Sequence, residues 1–423
     1  MNILNINKFK NVTYQELEHL AKELNIPHPQ HLKTHELMLQ ILQCYVEQGM
    51  KVIGSGILEI MPDGFGFLRS EKHSYALSPH DIYISPNMIR KYYMRTGDDV
   101  VAEIRLVKDK SRYIALKQID SINNKDPKEL SYAPKVFENL TSEYACKRLV
   151  IEMKGNMTLR VIDLAAPIGL GQRGLIVSPP KAGKTTVMRN MALSVVTNNP
   201  ECKLINLLIG ERPEEVTEIK KMFKDLHHVD IIASTFDDPV HRHLQLAEMA
   251  LERAKRLVEN GEQVVILLDS LTRLARSYNE AAPSNGKLLS GGVDAQALQK
   301  AKKFFGAARN TSEGGSLTII ATVLVETGSK MDDIIFEEFK STGNMEIFLN
   351  RKLAERQIFP AISFSKSGTR REDLIMSANE LQKMKIIRKL LSDMEDGEAI
   401  EFLTKQLQNY ETNSLLFAKM NKI

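Results

Sequence analysis

Gly174-Leu175-Ile176-Val177, followed by Ser178-Pro179-Pro180-Lys181-Ala182-Gly183-Lys184-Thr185, is the stretch on which the fold turns. Consecutive apolar residues describe a buried strand, the run after them a loop, and the stretch from Thr186 a helix. A small-residue loop that feeds a helix N-terminus presents backbone N–H groups to phosphate oxygens. Pro180, Lys181, Ala182 and Gly183 form that cradle, with Thr186 at its helical end also expected to bind ATP, and Gly183 permits close approach. Lys184 is placed to reach β- and γ-phosphates, and the Thr185 hydroxyl to ligate Mg²⁺. The strict pattern has Gly where Ser178 stands, so the motif is complete at Gly-Lys-Thr and relaxed at its first position.

Two further segments supply acids. Val264-Val265-Ile266-Leu267-Leu268 reads as a buried strand ending in Asp269, whose carboxylate would reach the Mg²⁺ shell. In open α/β sheets ligands sit at that C-terminal strand edge. Leu204-Ile205-Asn206-Leu207-Leu208-Ile209 is a second strand and ends in Gly210-Glu211-Arg212, which places Glu211 as general base beside the γ-phosphate. From about residue 151 to the C-terminus apolar strand-like runs alternate with helical stretches. That alternation predicts a mostly parallel sheet covered by helices. Nucleotide hydrolysis is the strongest functional reading of these segments.

Outward from this core, the chain has 423 residues, 43% hydrophobic and 26% charged, ordinary globular usage that excludes a fibrous or wholly disordered protein. Its 57 basic and 53 acidic residues leave a net charge of +4, too mild to prove a nucleic-acid partner, which must be argued from local patches. No run of eighteen apolar residues and no N-terminal signal pattern is present, so a membrane span and export are not expected. The three cysteines, Cys44, Cys146 and Cys202, form no CxxC pair and read as reduced thiols of a cytoplasmic protein.

The expected organisation is multi-domain α/β: a helical subdomain over 1–50, a barrel of the OB or cold-shock type over 51–124, a connector over 125–150, and the nucleotide-binding domain over 151–423. Thr13 and Glu16 make a capping box, after which Leu17, Leu20, Ala21 and Leu24 fall on one helical face. Met38, Ile41, Leu42 and Tyr45 mark a second helix. His28, His31 and His35 lack an acid or thiol to complete a metal set and read as polar turn residues. Gly56–Met61, Gly64–Arg69, Asp81–Ser85, Val100–Val107 and Tyr113–Ile119 read as five short strands, which suits a small closed barrel. Phe65 and Phe67 stand two apart on one of them, so their rings face one side, where bases can stack or a core can pack.

These segments together resemble the bacterial Rho family of transcription termination factors, ring-forming RNA-dependent ATPases and helicases. The likeness rests on the 179–185 loop, Glu211-Arg212-Pro213-Glu214-Glu215-Val216-Thr217, Asp269-Ser270-Leu271-Thr272-Arg273-Leu274-Ala275-Arg276, Phe304-Phe305-Gly306-Ala307-Ala308-Arg309-Asn310, Thr327-Gly328-Ser329-Lys330-Met331-Asp332 and Asp63-Gly64-Phe65-Gly66-Phe67-Leu68-Arg69. It covers nearly the whole chain.

The resemblance implies a RecA-like core in a homohexamer, with ATP and Mg²⁺ at each interface. Glu211, Arg212 and Lys184 would act with an arginine supplied in trans from Ser367-Gly368-Thr369-Arg370. Arg370 matches the family's finger, though Arg371 adjoins it and sequence does not choose between them. Phe359 matches the position that packs on adenine; a core aromatic before Pro360 is the other reading. Two pore loops would pull RNA, one with Lys287, Gly291 and Gly292, the other with Gly328, Ser329 and Lys330. The primary RNA site would combine Phe65 and Phe67 with Tyr83 and Tyr113 around a pyrimidine, and Arg69 and Asp81 on the cytosine edge. Arg90, Lys91, Arg95, Arg105, Lys108, Lys110 and Arg112 would track phosphates. The implied partners are pyrimidine-rich single-stranded RNA, further copies of the chain, and the RNA polymerase elongation complex with its elongation factors.

Two positions depart from the family. Gly210 stands where an Asp normally precedes Glu-Arg, which bears on the Mg²⁺ shell. Ser111 replaces a pocket Glu, and weaker discrimination between C-rich and U-rich RNA is expected. Two rival readings remain: a rotary ATPase subunit, against which the Gly64–Phe67 segment stands, and an RNA-binding scaffold without turnover, against which Lys184, Thr185, Glu211, Asp269 and Arg370 stand.

Overall fold

A computed structural model describes residues 3–105, 114–129, 135–224, 226, 228–283 and 290–420. The chain divides into two units, Met1–Val136 with Leu251–Arg256, and Phe137–Ala250 with Leu257–Ile423.

In the first unit the Thr13–Glu16 capping box opens the helix Tyr14–Glu23, with Glu16 Oε2 accepting from the Thr13 N–H at 2.7 Å. This helix buries Leu17 and Ala21, and the helix Thr34–Glu47 buries Leu37, Met38, Ile41 and Leu42. Six strands form the sheet: β1 (Ile3–Asn5), β2 (Lys51–Ile60), β3 (Gly66–Arg69), β4 (Ile82–Ile84), β5 (Asp99–Arg105) and β6 (Ile114–Ile122). They run in the order β1-β2-β3-β4-β6-β5, and β5 pairs back onto β2, so β2 to β6 close into the expected five-stranded barrel. Closure is possible because β2 is long: Ile53–Ile57 pair with β5 and Ile57–Ile60 with β3. The strand β1, which adds parallel to β2, carries no alternation long enough to reveal it in the sequence.

The second unit is built on one large sheet. Its strands are β7 (Ser142–Glu143), a small pair β8 (Arg148–Leu149) and β9 (Ile168–Gly169) lying off that sheet, β10 (Arg173–Ser178), β11 (Cys202–Glu211), β12 (Val229–Thr235), β13 (Gln263–Asp269), β14 (Arg309–Thr311), β15 (Ser316–Leu324), β16 (Met345–Leu349) and β17 (Ile362–Thr369). The order is β12-β11-β13-β15-β10-β16-β17, parallel except for β17, with β14 and β7 appended antiparallel beside β15. Residues 264–269 of β13 and 316–323 of β15 are buried throughout, as a parallel sheet covered on both faces requires. The expected alternation is therefore present.

After β17 the helices Ala378–Ser392, Asp396–Gln408 and Asn413–Met420 close the C-terminal part of the unit. Buried Arg160 ties the last two down by donating to the carbonyls of Leu407 (2.8 Å) and Tyr410 (2.7 Å) and to Asn413 Oδ1 (3.2 Å). The carbonyls at a helix C-terminus lack intrahelical partners, so a cation there satisfies both hydrogen bonding and the helix dipole. Three strand ends, those of β10, β11 and β13, lie on the same edge of the sheet with β15 between β13 and β10.

Candidate functional site

The phosphate loop leaves β10 after Ser178, whose hydroxyl is turned back onto the Pro179 carbonyl at 3.0 Å. Lys181 (φ 63°) and Gly183 (φ 91°) both adopt left-handed backbone, which curls the loop under the helix Lys184–Asn198. Lys181 and Thr186 are exposed, Pro180, Gly183 and Thr185 half-buried, and Ala182 buried against the core. The helix opens at Lys184, two residues before the expected Thr186, because Gly183 supplies its N-cap.

Lys184 draws the strand ends together. Its Nζ donates to Asp269 Oδ1 at 2.5 Å and to Glu211 Oε1 at 3.0 Å. The Thr322 hydroxyl, on β15, donates to the same Asp269 oxygen at 2.8 Å. Burial works against the charge on Lys184, but Asp269 and then Glu211 outweigh it and hold the ammonium above its usual range. Glu211 is pushed above the ordinary carboxylate range, first by burial and then by the nearby Asp269, with Lys184 and Arg273 opposing. A raised carboxylate beside the phosphate loop suits proton acceptance at neutral pH.

Several members of the site had no role assigned from sequence. Arg273 on the helix Leu271–Glu280 brings Nη2 to 3.7 Å from Glu211 Oε2. Thr185 donates its hydroxyl to Glu215 Oε2 at 3.2 Å. Arg273 and Glu215 lay in plain view inside the quoted motifs, but which strand end they reach is a tertiary matter. Thr185, Glu215 and the buried Asp269 offer hard oxygen donors, a set that fits Mg²⁺. Arg212 is the exposed N-cap residue of the helix Pro213–Met222. Gly210 has φ 62°, and a Cβ there would sit 3.6 Å from Arg273 Nη1 and 3.8 Å from His243 Cε1. Room for a side chain therefore exists where the resemblance implies Asp. A pocket of about 610 Å³, lined by Gly210, Phe236, His243, Arg273, Arg276 and Glu280 among others, opens beside it.

The two candidate trans arginines differ. Arg371 is held by Asp373, with Nη2–Oδ2 at 3.0 Å, and its guanidinium lies 5.2 Å from the Tyr144 ring. Arg370 is exposed and is anchored through its backbone N–H, which donates to the Asn344 carbonyl at 2.8 Å. Phe359 is 57% exposed, as an open stacking platform would be and a core aromatic would not.

The segments expected to line a pore are neighbours. Gly291 lies so close to the helix Lys330–Lys340 that a Cβ would fall 2.7 Å from Ile334 Cδ1 and 3.2 Å from the Lys330 carbonyl. Gly292 and Gly328 are left-handed, Ser329 caps that helix and Lys330 is exposed at its start. Asp332 accepts from the Thr327 hydroxyl at 2.6 Å and from Arg276 Nε and Nη2 at 2.8 and 2.6 Å. Arg276 and Arg273 share one helix, so hydrogen bonds and helix backbone connect this loop to Glu211. Lys287 lies outside the described residues.

On the barrel, Phe65, Phe67 and Tyr83 form a half-buried aromatic cluster with ring centroids 5.7 to 6.0 Å apart. Phe67 and Tyr83 are cross-strand partners, while Gly66 and Leu68 between and beside them are buried. The pleat thus turns the aromatics away from the barrel interior. Arg69, 2% exposed, donates Nη1 to Asp81 Oδ2 at 2.5 Å and Nε to Glu59 Oε2 at 2.6 Å, and lies 4.9 Å from the Phe67 centroid. Glu59 is a partner that sequence reading missed, since it comes from β2 across the sheet. Ser111, Arg112, Tyr113, Lys108 and Lys110 lie outside the described residues; Arg105 is exposed at the end of β5.

Comparison with known proteins gives two family matches. The ATP synthase alpha/beta family, nucleotide-binding domain, matches residues 158–369, and the Rho termination factor, RNA-binding domain, matches residues 54–128. The chain is 52% identical to the transcription termination factor Rho of Haemophilus influenzae, with 99% of this chain and all of that protein covered. It is 51% identical to the Rho of Pseudomonas aeruginosa over the same shares. Among solved structures, a prototypical ATPase from a bacterial type III secretion system is 26% identical at a TM-score of 0.52, over 59% of this chain and 70% of that one. The assembled ATPase EscN of enteropathogenic E. coli, 18% identical at a TM-score of 0.56 over 87% and 94%, shares the fold.

Proposed function

Because the chain belongs to the Rho family of transcription termination factors, we propose that its barrel captures nascent single-stranded RNA while a ring of copies uses ATP to pull that RNA and strip it from RNA polymerase. The protein is a transcription termination factor with an RNA-binding domain and an ATP-hydrolysing domain. The observation that carries the proposal is the convergence of Lys184, Glu211 and Asp269 at one sheet edge in a chain that also presents the Phe65–Phe67–Tyr83 face.

The residues divide the hydrolysis among them. The loop N–H groups and Lys184 hold the β- and γ-phosphates. Glu211 accepts a proton from the water that attacks the γ-phosphorus, as the bond to the ADP oxygen breaks. Thr185 and Asp269 would hold Mg²⁺, with Glu215 beside Thr185; the metal would neutralise charge on the phosphate oxygens. Arg212 acts at the same active site. Arg370, from the adjoining copy, offsets charge on the transferring phosphoryl group. Phe359 packs on adenine.

The RNA path begins on the barrel, where Phe65, Phe67 and Tyr83, with Tyr113, stack pyrimidine bases and the Arg69–Asp81 pair offers a donor and an acceptor to cytosine. Arg112 and neighbouring cations hold phosphates. Lys287, Gly291, Gly292, Gly328, Ser329 and Lys330 grip the strand in the pore, and the Asp332–Arg276 pair transmits its position towards Glu211. Among the described residues no helix is long and apolar enough to cross a membrane; a cytoplasmic location follows from the proposed partners.

Release of transcripts from stalled elongation complexes tests the reading. The parent protein with ATP should free RNA, whereas Glu211→Gln should bind ATP and RNA yet free none. Release by Glu211→Gln at the parent rate would overturn it.

A further inference from the structure

Arg173, Arg309 and Arg370 stand together at the sheet edge opposite the phosphate loop. Arg173 begins β10 and Ser178 ends it, a separation of roughly 17 Å at 3.3 Å per residue. Arg309 begins β14, which pairs with the start of β15, and Arg370 follows β17, whose Thr369 pairs with the start of β16. Their main chains are knotted: the Asn344 side-chain oxygen accepts from the Arg173 N–H at 2.8 Å, and the Asn344 carbonyl accepts from the Arg370 N–H at 2.8 Å.

Arg173 spends its guanidinium on the carbonyls of Thr342 (3.0 Å) and Ala308 (3.1 Å), which fixes the segment carrying Arg309. Arg309 is half-buried, lies 4.8 Å from the Phe137 ring and donates only Nε, to the Ala307 carbonyl at 3.1 Å. Its two terminal nitrogens have no hydrogen-bond partner among the described residues, and none of the three arginines forms an ion pair there. Burial, then Arg309 and Arg370, push Arg173 below its usual range. Glu346, whose strand pairs with Gly368, is the carboxylate that faces Arg370, so three cations share one acid and an additional bound anion would stabilise them.

The anion cannot be the nucleotide of the same chain, because the phosphate loop lies on the other edge of the sheet. A head-to-tail assembly of copies brings one edge to the other. We infer that Arg309 is a second trans-acting cation, which meets the triphosphate held by the neighbouring copy beside Arg370, with Arg173 as the residue that positions it. This rests on the reading of Arg370 as the trans arginine and adds to it a residue that touches the same phosphates.

The experiment is mixing of full-length variants, read by RNA-stimulated ATP hydrolysis. Arg309→Gln alone should lose on the order of tenfold or more in kcat, with RNA affinity unchanged. Lys184→Ala alone should be inactive but carries an intact Arg309. Mixed rings should regain activity above either variant, because a phosphate loop of the first then faces Arg309 of the second. Unchanged kcat in Arg309→Gln, no recovery on mixing, or a loss confined to RNA binding would each overturn the inference; the last would assign the cluster to RNA phosphate. Arg370→Gln, mixed in the same way, separates the two claims. If it recovers and Arg309→Gln does not, only Arg309 is wrongly assigned; if Arg370→Gln is fully active, the trans reading itself fails. Should Arg309→Gln melt well below the parent, Arg309→Lys takes its place in the same mixtures, with a smaller kcat loss and the same recovery expected.

Discussion

Lys184 Nζ lies 2.5 Å from Asp269 Oδ1, so the lysine proposed to hold phosphate is paired with the acid proposed to hold the metal. Glu211 completes the arrangement at 3.0 Å. Entry of a nucleotide must exchange these contacts, trading one set of charge pairs for another without leaving a buried charge bare.

Lys184→Ala should abolish turnover and also unmask Glu211 and Asp269 as buried carboxylates. Taking the charged donor from both, with only Arg273 left near Glu211 and the Thr322 hydroxyl on Asp269, costs about 1–3 kcal/mol. Chemical denaturation should therefore show the variant less stable than the parent at neutral pH, with the gap narrowing as acid protonates Glu211. The folded-state pKa of Lys184 is raised, so its stabilising contribution is present at neutral pH and disappears only as pH rises through the alkaline range. A gap that widens in acid would count against this account.

Gly210 provides a second test. A Cβ there meets only ordinary contacts, so Gly210→Asp should fold within about 1 kcal/mol of the parent, since Asp tolerates left-handed backbone. Gly210→Val, β-branched at φ 62°, should lose about 1–3 kcal/mol. The new carboxylate of Gly210→Asp would compete with Glu211 for Arg273 and raise the Glu211 pKa further. The acid limb of the pH–rate profile, already above the ordinary glutamate range in the parent, should move up in pH. An unmoved limb would show that Arg273 does not tune Glu211.

The aromatic face predicts a division among barrel variants. Phe67→Ala or Tyr83→Ala should weaken single-stranded RNA binding by about 1–3 kcal/mol, read by equilibrium titration, with ATP affinity unaltered. Arg69→Ala removes a buried cation paired with two acids, Asp81 and Glu59, and should destabilise the barrel by about 3–5 kcal/mol. A stable Arg69→Ala variant would mean that the buried pair contributes little to the fold.

Arg370 and Arg371 should separate cleanly. Arg371 is neutralised by Asp373 and stacked on Tyr144, so Arg371→Ala should keep most of the turnover. Arg370→Ala should lose orders of magnitude in kcat while ATP binding persists. The reverse result would transfer the trans role to Arg371.

How far the sequence reached can be seen at particular residues. Lys184, Glu211 and Asp269 were legible because each sits in a local pattern: Lys184 in a small-residue loop feeding a helix, Glu211 and Asp269 at the end of an apolar strand. The order of the strands was not, since it is fixed by packing between segments far apart in the chain. Thr322, which donates to Asp269, and Glu59, which pairs with Arg69, are invisible for that reason. That Phe65 and Phe67 turn away from the barrel interior needed the register of β3 against β4, which alternation alone does not supply. The contacts that set Arg371 apart from Arg370, Asp373 and the Tyr144 ring, appear only in the structure.

The most direct test of the whole account is steady-state ATP hydrolysis by the purified protein, measured without nucleic acid and with poly(C), poly(U) or duplex DNA. Strong stimulation by the single-stranded RNAs alone, with poly(C) only modestly ahead of poly(U), is the predicted result. Hydrolysis indifferent to RNA would contradict it, because the barrel and the phosphate loop would then not belong to one motor.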